Sequence, residues 1–227
     1  LKGHPKKDFH YYAGGDPSGG LGQESSTIEV FCAETNEQVG EFTSDRTDPE
    51  VFGYKLAEIG AMFNNAYLTV ESNAHGVLTL SVLEKTYQSS LLNRERRDGG
   101  DTETDHIMRL GWRTTAANKH LMVGRLRIEI ANNVTIHSPL LQTELSTFIE
   151  DERGRLGAQE GCHDDLVMAA ACAMVGKNHC INSVASEKRS REHKSLNPLL
   201  FDNILEELHD SSRVSGFPVR DQDGWMN

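Results

Sequence analysis

The sequence predicts a mixed α/β domain: a central sheet whose first three strands run antiparallel, followed by a parallel strand, with helices on both faces. Three features predict it. Short apolar or small-residue runs open the chain, joined by polar turns. Helical and strand-like periodicities then alternate. Finally, the segment LVMAAACAMVG (166–176) is apolar on nearly every face, so it has no side to offer to water and must be buried.

Taken in order, Phe9–Gly15 reads as the first strand, ending at Asp16, and PSGGLGQES as a Gly/Ser-rich turn. Thr27–Ala33 is a second strand; the polar stretch ETNEQ turns the chain into a third, Val39–Thr43. Asp48-Pro49 fits a helix start, and Val51, Phe52, Leu56, Ile59 and Phe63 recur near helical spacing. Ala66–Val70 is a compact strand ending at Glu71, and Ala74–Tyr87 reads as helix. Arg94–Asp105 (RERRDGGDTETD) is charged and Gly-containing, which predicts a mobile loop. Thr114 or Thr115 caps a helix to about Ile130, with Leu121, Leu126 and Ile130 apolar. Val134–His137 is a brief strand, Pro139–Thr147 a helix, and Phe148–Ile149 leads into the turn EDERGR. Cys162 or His163 opens the last, apolar helix. The domain therefore spans 1–180. Residues 181–227 form a polar tail, solvated or docked on a partner, in which only LLFDNILEEL (199–208) has an amphipathic helical pattern.

Composition excludes several classes. No apolar run approaches the roughly 20 residues of a membrane span, and LKGHPKKDFHYY lacks the apolar stretch of a secretory leader. The chain starts at Leu1 rather than Met, as an excised domain or fragment would. The four cysteines, Cys32, Cys162, Cys172 and Cys180, form no CxxC pair and read as reduced thiols; a zinc site from Cys162, His163 and Cys172 has the residue types but not the spacing. A net charge of −11 runs against tight, unaided nucleic-acid binding, which rests on phosphate neutralisation.

Carboxylates carry the chemistry. Asp16 ends the first strand, Glu71 ends the AYLTV strand, and Asp164 and Asp165 occupy the first turn of the apolar helix. Singly, each has an ordinary reading: turn chemistry for Asp-Pro-Ser-Gly, dipole complementarity at a helix N-terminus. Together, parallel neighbouring strands bring Asp16 beside Glu71, and a helix forced onto the sheet delivers Asp164 and Asp165 to the same rim. Crowded carboxylates raise one another's pKa and call for a cation, and hard oxygen donors favour Mg²⁺ or Mn²⁺. Two such ions about 4 Å apart suit in-line phosphodiester hydrolysis.

The succession YYAGGDPSGGLGQESSTIEVF, YLTVESNAHG, LGWRTT..NK and GCHDDLVMAAACA, over residues 9–178, resembles the nuclease domain of phage terminase large subunits, with HDDLVMA at the head of an Ala-rich helix the most distinctive piece. The resemblance implies an RNase H-like fold and a metal-dependent endonuclease that cuts concatemeric double-stranded DNA during genome packaging in the host cytoplasm. It implies that Asp16 bridges two metals, Glu71 binds one, and Asp164 and Asp165 complete the set. Adjacent helical residues point about 100° apart, so Asp165 is the steadier direct ligand and Asp164 binds directly or through water. His163 is a proton shuttle or leaving-group aid, or else a plain residue of the helix start. The implied partners are a packaging ATPase domain of the same polypeptide, the terminase small subunit and the portal.

No G-x-x-x-x-G-K-[ST] occurs here, Lys85-Thr86 lacking the preceding glycines, and GGLG leads into a strand rather than a dinucleotide-binding helix. Arg94, Arg96 and Arg97 in the charged loop, with Arg113 and Lys119, are the DNA-contact candidates; Lys188, Arg189, Arg191 and Lys194 form a second basic group in the tail. None resembles base readout, so cutting would be largely independent of sequence. Two alternatives remain at this level: another RNase H-like nuclease such as a junction resolvase, or a non-catalytic module docking on a motor or portal.

Overall fold

The computed structural model describes residues 5–96, 108–132 and 134–182. Arg97, the rest of the charged loop to residue 107, and the whole tail from 183, with its 199–208 segment and its basic group, lie outside the described residues.

Strands β1 (Tyr11–Asp16), β2 (Ser26–Cys32), β3 (Glu37–Ser44) and β4 (Tyr67–Val70) form one sheet in the order β3-β2-β1-β4. β1 pairs antiparallel with β2, β2 antiparallel with β3, and β1 parallel with β4. The mixed sheet read from the sequence is therefore the observed one. β2 is buried at every position and β1 at all but Asp16, as central strands covered on both faces must be.

Helices α1 (Pro49–Met62) and α2 (Gly76–Thr86) cover one face. Asp48 caps α1 by accepting the Glu50 N–H at 2.8 Å, with Pro49 in the first turn. Phe52, Leu56 and Phe63 pack with Ile28, Val30 and Leu68 beneath them, whereas Val51 faces solvent. The opposite face carries α3 (Ala116–Ala131), α4 (Pro139–Thr147) and a last helix, α5, over residues 165–182. Thr115, not Thr114, caps α3: its hydroxyl accepts the Asn118 N–H at 3.2 Å, and the Asn118 side chain accepts the Thr115 N–H at 2.6 Å. Met122 and Leu126 are the buried residues of α3, and Leu121 is exposed.

Three local expectations change. Arg94–Arg96 is not loop but strand β5, paired with β6 (Met108–Leu110), because a two-stranded ladder is held by backbone groups and tolerates charged side chains. Val134–His137 contributes one bridge, Glu37 to Thr135, rather than a strand. Phe148–Glu150 (β7) pairs with Leu156–Ala158 (β8), so the EDERGR turn closes a hairpin.

α5 fits because β1 offers it no side chain at Gly14. A Cβ at Gly14 would collide with the Ala169 carbonyl and the Ala173 amide, and one at Gly176 would collide with Thr69 and Tyr67. The backbones of helix and strand thus meet directly, with Ala169, Ala170, Ala171, Cys172 and Ala173 fully buried. Among the described residues no helix is long and apolar enough to cross a membrane.

One buried carboxyl group lies under this face. Glu29 of β2, fully buried, stands opposite Glu41 of β3, and its Oε2 accepts the Gln38 amide at 2.6 Å. Gln38 Oε1 in turn accepts the His137 and Ser138 N–H groups, each at 2.8 Å, which ties the sheet edge to the start of α4. Burial, and then the neighbouring Glu41, hold the Glu29 carboxyl well above the usual carboxylate range.

Two expectations follow from this packing. Gly14→Ala should lower stability by at least about 2 kcal/mol, read as a fall of roughly 5 °C in Tm. Glu29 keeps a proton in the folded chain that the unfolded chain releases above about pH 4.3, so its contribution to stability falls as pH rises. Glu29→Gln should accordingly raise the urea midpoint at pH 8 and change it little at pH 4; an equal shift at both would remove Glu29 as the cause.

Candidate active site

The parallel pairing of β1 and β4 sets the first two carboxylates. The last paired residues are Gly15 and Val70, and the Glu71 N–H donates to the Gly15 carbonyl at 2.9 Å, so Asp16 and Glu71 leave the strand ends side by side. Asn73 steadies Glu71: its Nδ2 donates to Glu71 Oε1 at 3.1 Å and to the Thr114 carbonyl at 2.9 Å. The turn between them is tight enough that a Cβ at Gly76 would strike the Glu71 carbonyl.

The antiparallel pairing of β1 and β2 sets the third. Asp16 lies opposite Thr27, and the Thr27 hydroxyl donates to the Asp165 carbonyl at 2.8 Å. The Ser25 N–H donates to Asp165 Oδ2 at 2.9 Å. α5 therefore begins over the start of β2, which is the end of β1. Asp164, one residue earlier, turns the other way, and its Oδ2 meets Lys119 Nζ of α3 at 3.4 Å. α5 starts at Asp165, later than the expected Cys162 or His163, so Asp164 stands just before the helix rather than in its first turn, and the two carboxylates take separate partners. His163 Nδ1 stands 3.9 Å from Asp165 Oδ2 on a largely exposed ring.

Electrostatics mark Asp16 as the centre of this rim. Its carboxyl is pushed well above the usual range by burial first, then by contact with Glu71, then by the charges of Glu71, Asp165 and Asp164. Burial also raises Asp165, partly offset by the Ser25 amide. The donor set is thus hard oxygen, and the crowding is of the kind a divalent cation relieves. Among the described residues no three His, Cys, Asp or Glu side chains are gathered into a ready coordination shell, so the fit to a metal rests on donor chemistry and on the Asp16–Glu71 contact. The zinc grouping is not assembled: Cys162 is exposed while Cys172 is buried in the core, 3.9 Å from the Met122 sulfur.

The basic candidates divide. Lys119 is beside the carboxylates, held by Asp164 and lying 5.7 Å from the centre of the Phe148 ring. Arg94 is occupied by Glu84 at 3.7 Å and by the Ser89 hydroxyl at 2.9 Å. Arg96 is exposed at the end of β5, and Arg113 is exposed just before α3.

Sequence reasoning missed Glu144. From α4, its Oε2 accepts the Leu166 N–H at 2.8 Å and the Val167 N–H at 3.2 Å, capping α5 directly after Asp164 and Asp165. Burial is the main cause that raises its pKa, with Asp165 and Asp164 adding to it. The cap comes from 22 residues upstream, so no local spacing announces it. Glu144→Ala should cost about 1 kcal/mol, a drop of roughly 3 °C in Tm, whereas Glu144→Gln, which keeps an acceptor oxygen, should recover most of it by differential scanning calorimetry.

No protein-family model matches the sequence, and no curated protein matches it. Among solved structures, the fold is similar to the large terminase nuclease of thermophilic phage G20c, with TM-score 0.57 and 14% identity over 76% of this chain and 84% of that one. The magnesium-bound form of the G20c nuclease gives 0.58 and 16% over the same shares. The large terminase nuclease domain of Thermus phage P74-26 gives 0.57 and 16%, covering 77% of this chain and 83% of that one. The described chain thus has the RNase H-like mixed α/β fold of large terminase nuclease domains.

Proposed function

We propose that this chain is a divalent-metal-dependent endonuclease that cuts concatemeric double-stranded DNA during phage genome packaging. The observation that carries the reading is the meeting of Asp16 and Glu71 at neighbouring parallel strand ends, with α5 bringing Asp165 to the same rim. The fold supports it, since the same architecture serves as the nuclease of phage terminases.

Asp16, Glu71 and Asp165 are the residues that would hold Mg²⁺ or Mn²⁺, with Asp164 joining them directly or through water. Bound there, two ions would supply Lewis acidity and lower the pKa of an attacking water. The protein's own part is positional. Asn73 orients Glu71, the Ser25 amide and Thr27 hydroxyl fix Asp165, and Glu144 fixes the helix that carries it. Lys119 holds Asp164 and offers a cation where DNA phosphates approach the acidic rim. His163, exposed and 3.9 Å from Asp165, would give a proton to the leaving oxygen. Arg94, Arg96, Arg97 and Arg113 are proposed phosphate contacts. The partners proposed with this reading are a packaging ATPase domain of the same polypeptide, the terminase small subunit and the portal, in the host cytoplasm.

The test is plasmid cleavage with Mn²⁺, with Mg²⁺ and with EDTA. Wild type should convert plasmid to fragments in either metal and not in EDTA. Asp16→Asn and Asp165→Asn should each lower the rate by at least about a hundredfold with Tm kept. Wild-type inactivity in both metals, or near-normal cleavage by Asp16→Asn, would overturn the reading.

A further inference from the structure

A second feature lies on the Glu71 side of the rim, away from Asp165. There the turn after β4, helix α2 and the segment leading into α3 enclose an open cleft of about 550 Å³. Its polar lining includes Ser72, Asn73, Ser81, Arg109 and Arg113, and Leu80 forms part of an apolar wall. In a chain with a net charge of −11, cations are normally consumed by carboxylates. Arg94 shows this, paired with Glu84, the one acidic residue of the cleft wall.

Arg109 and Arg113 are different. Among the described residues neither guanidinium forms a hydrogen bond or ion pair. Glu95, opposite Arg109 in the β5–β6 ladder, directs its carboxylate to the Arg113 backbone N–H at 3.1 Å instead. Beside them the Ser72 hydroxyl is buried and has no hydrogen-bond partner. Two guanidiniums with no partner among the described residues thus line one cleft whose single carboxylate, Glu84, is already paired with Arg94. Planar guanidinium donors match the oxygens of a phosphate.

The cleft is also mechanically joined to the carboxylates. Asn73 lines it while donating to Glu71 Oε1 and to the Thr114 carbonyl, the residue after Arg113. A group bound by the two arginines is thereby registered against Glu71 through a single side chain. Resting on the nuclease reading above, we infer that this cleft is a phosphate subsite. It takes a backbone phosphate of the duplex flanking the one at the carboxylates and sets the register of the strand to be cut. The cleft supplies the local positive surface that the overall charge denies to the chain as a whole.

The experiment is fluorescence anisotropy of a labelled linear duplex in EDTA, where no cleavage occurs, as a function of salt. The full chain is compared with Arg109→Ala, Arg113→Ala, the double variant, and Lys55→Ala, which removes a cation from the exposed face of α1. The double variant should bind about tenfold more weakly with a salt slope lowered by one to two phosphate contacts, and Arg109→Lys with Arg113→Lys should recover part of the slope but less of the affinity. Asp16→Asn, run in parallel, should bind at least as tightly as wild type, so loss of nuclease chemistry and loss of this subsite are read separately. Affinity and slope in the double variant equal to those of Lys55→Ala, with Tm unchanged, would overturn the subsite and leave the nuclease reading standing. Failure of wild type to bind duplex at all would overturn the subsite, and the plasmid assay above decides the nuclease reading separately.

Discussion

The contact on which the rest depends is backbone against backbone: α5 lying on β1 where Gly14 leaves no side chain between them. Dispersion and hydrophobic gains there require close approach, and a helix of Ala169–Ala173 pressed to a glycine achieves it. The position of α5 is then not adjustable. It starts over β2, crosses β1 at Gly14 and reaches β4 at Gly176, so its N-terminus must stand at the strand ends that carry Asp16 and Glu71.

Such packing assembles like charges, and the surroundings divide the burden. Asp165 is held by a backbone amide of the β1–β2 turn, Asp164 by a lysine from α3, and Glu71 by the Asn73 amide. Glu144 takes N–H groups of Leu166 and Val167 that have no intrahelical partner at the head of α5, adding yet another carboxylate to an acidic neighbourhood. That arrangement is tolerable because each acid has a donor, while Asp16, with Glu71 pressed against it, has its ionisation suppressed. The crowding that remains at Asp16 is of the kind the proposed cation would relieve.

The same face shows how far the tie extends. Glu29, Gln38 and the backbone at His137 and Ser138 connect β2 and β3 to α4, and α4 connects through Glu144 to α5. The acidic rim is therefore braced from two sides, by β1 beneath α5 and by α4 at its head. On the far side of Glu71, Arg109 and Arg113, which have no side-chain partner among the described residues, line the cleft proposed as a phosphate subsite.

The sequence by itself determined the order of the four main-sheet strands and the helices around them, the antiparallel start, the burial of residues 166–176 and the strand-end or helix-start positions of Asp16, Glu71, Asp164 and Asp165. Those are short-range properties: periodicity, turn chemistry and a helix with no polar face. It also led to the expectation that Asp164 and Asp165 diverge, because helical geometry alone requires it. Only the tertiary structure decided which partner each received, that Arg94–Arg96 is a strand, that Val51 and Leu121 face solvent, and that Glu144 caps α5. These depend on which surfaces meet across 12 to 140 residues of chain, from Arg96 on Met108 to Ser25 on Asp165, and a pairing at that separation leaves no periodic trace for local reasoning to find.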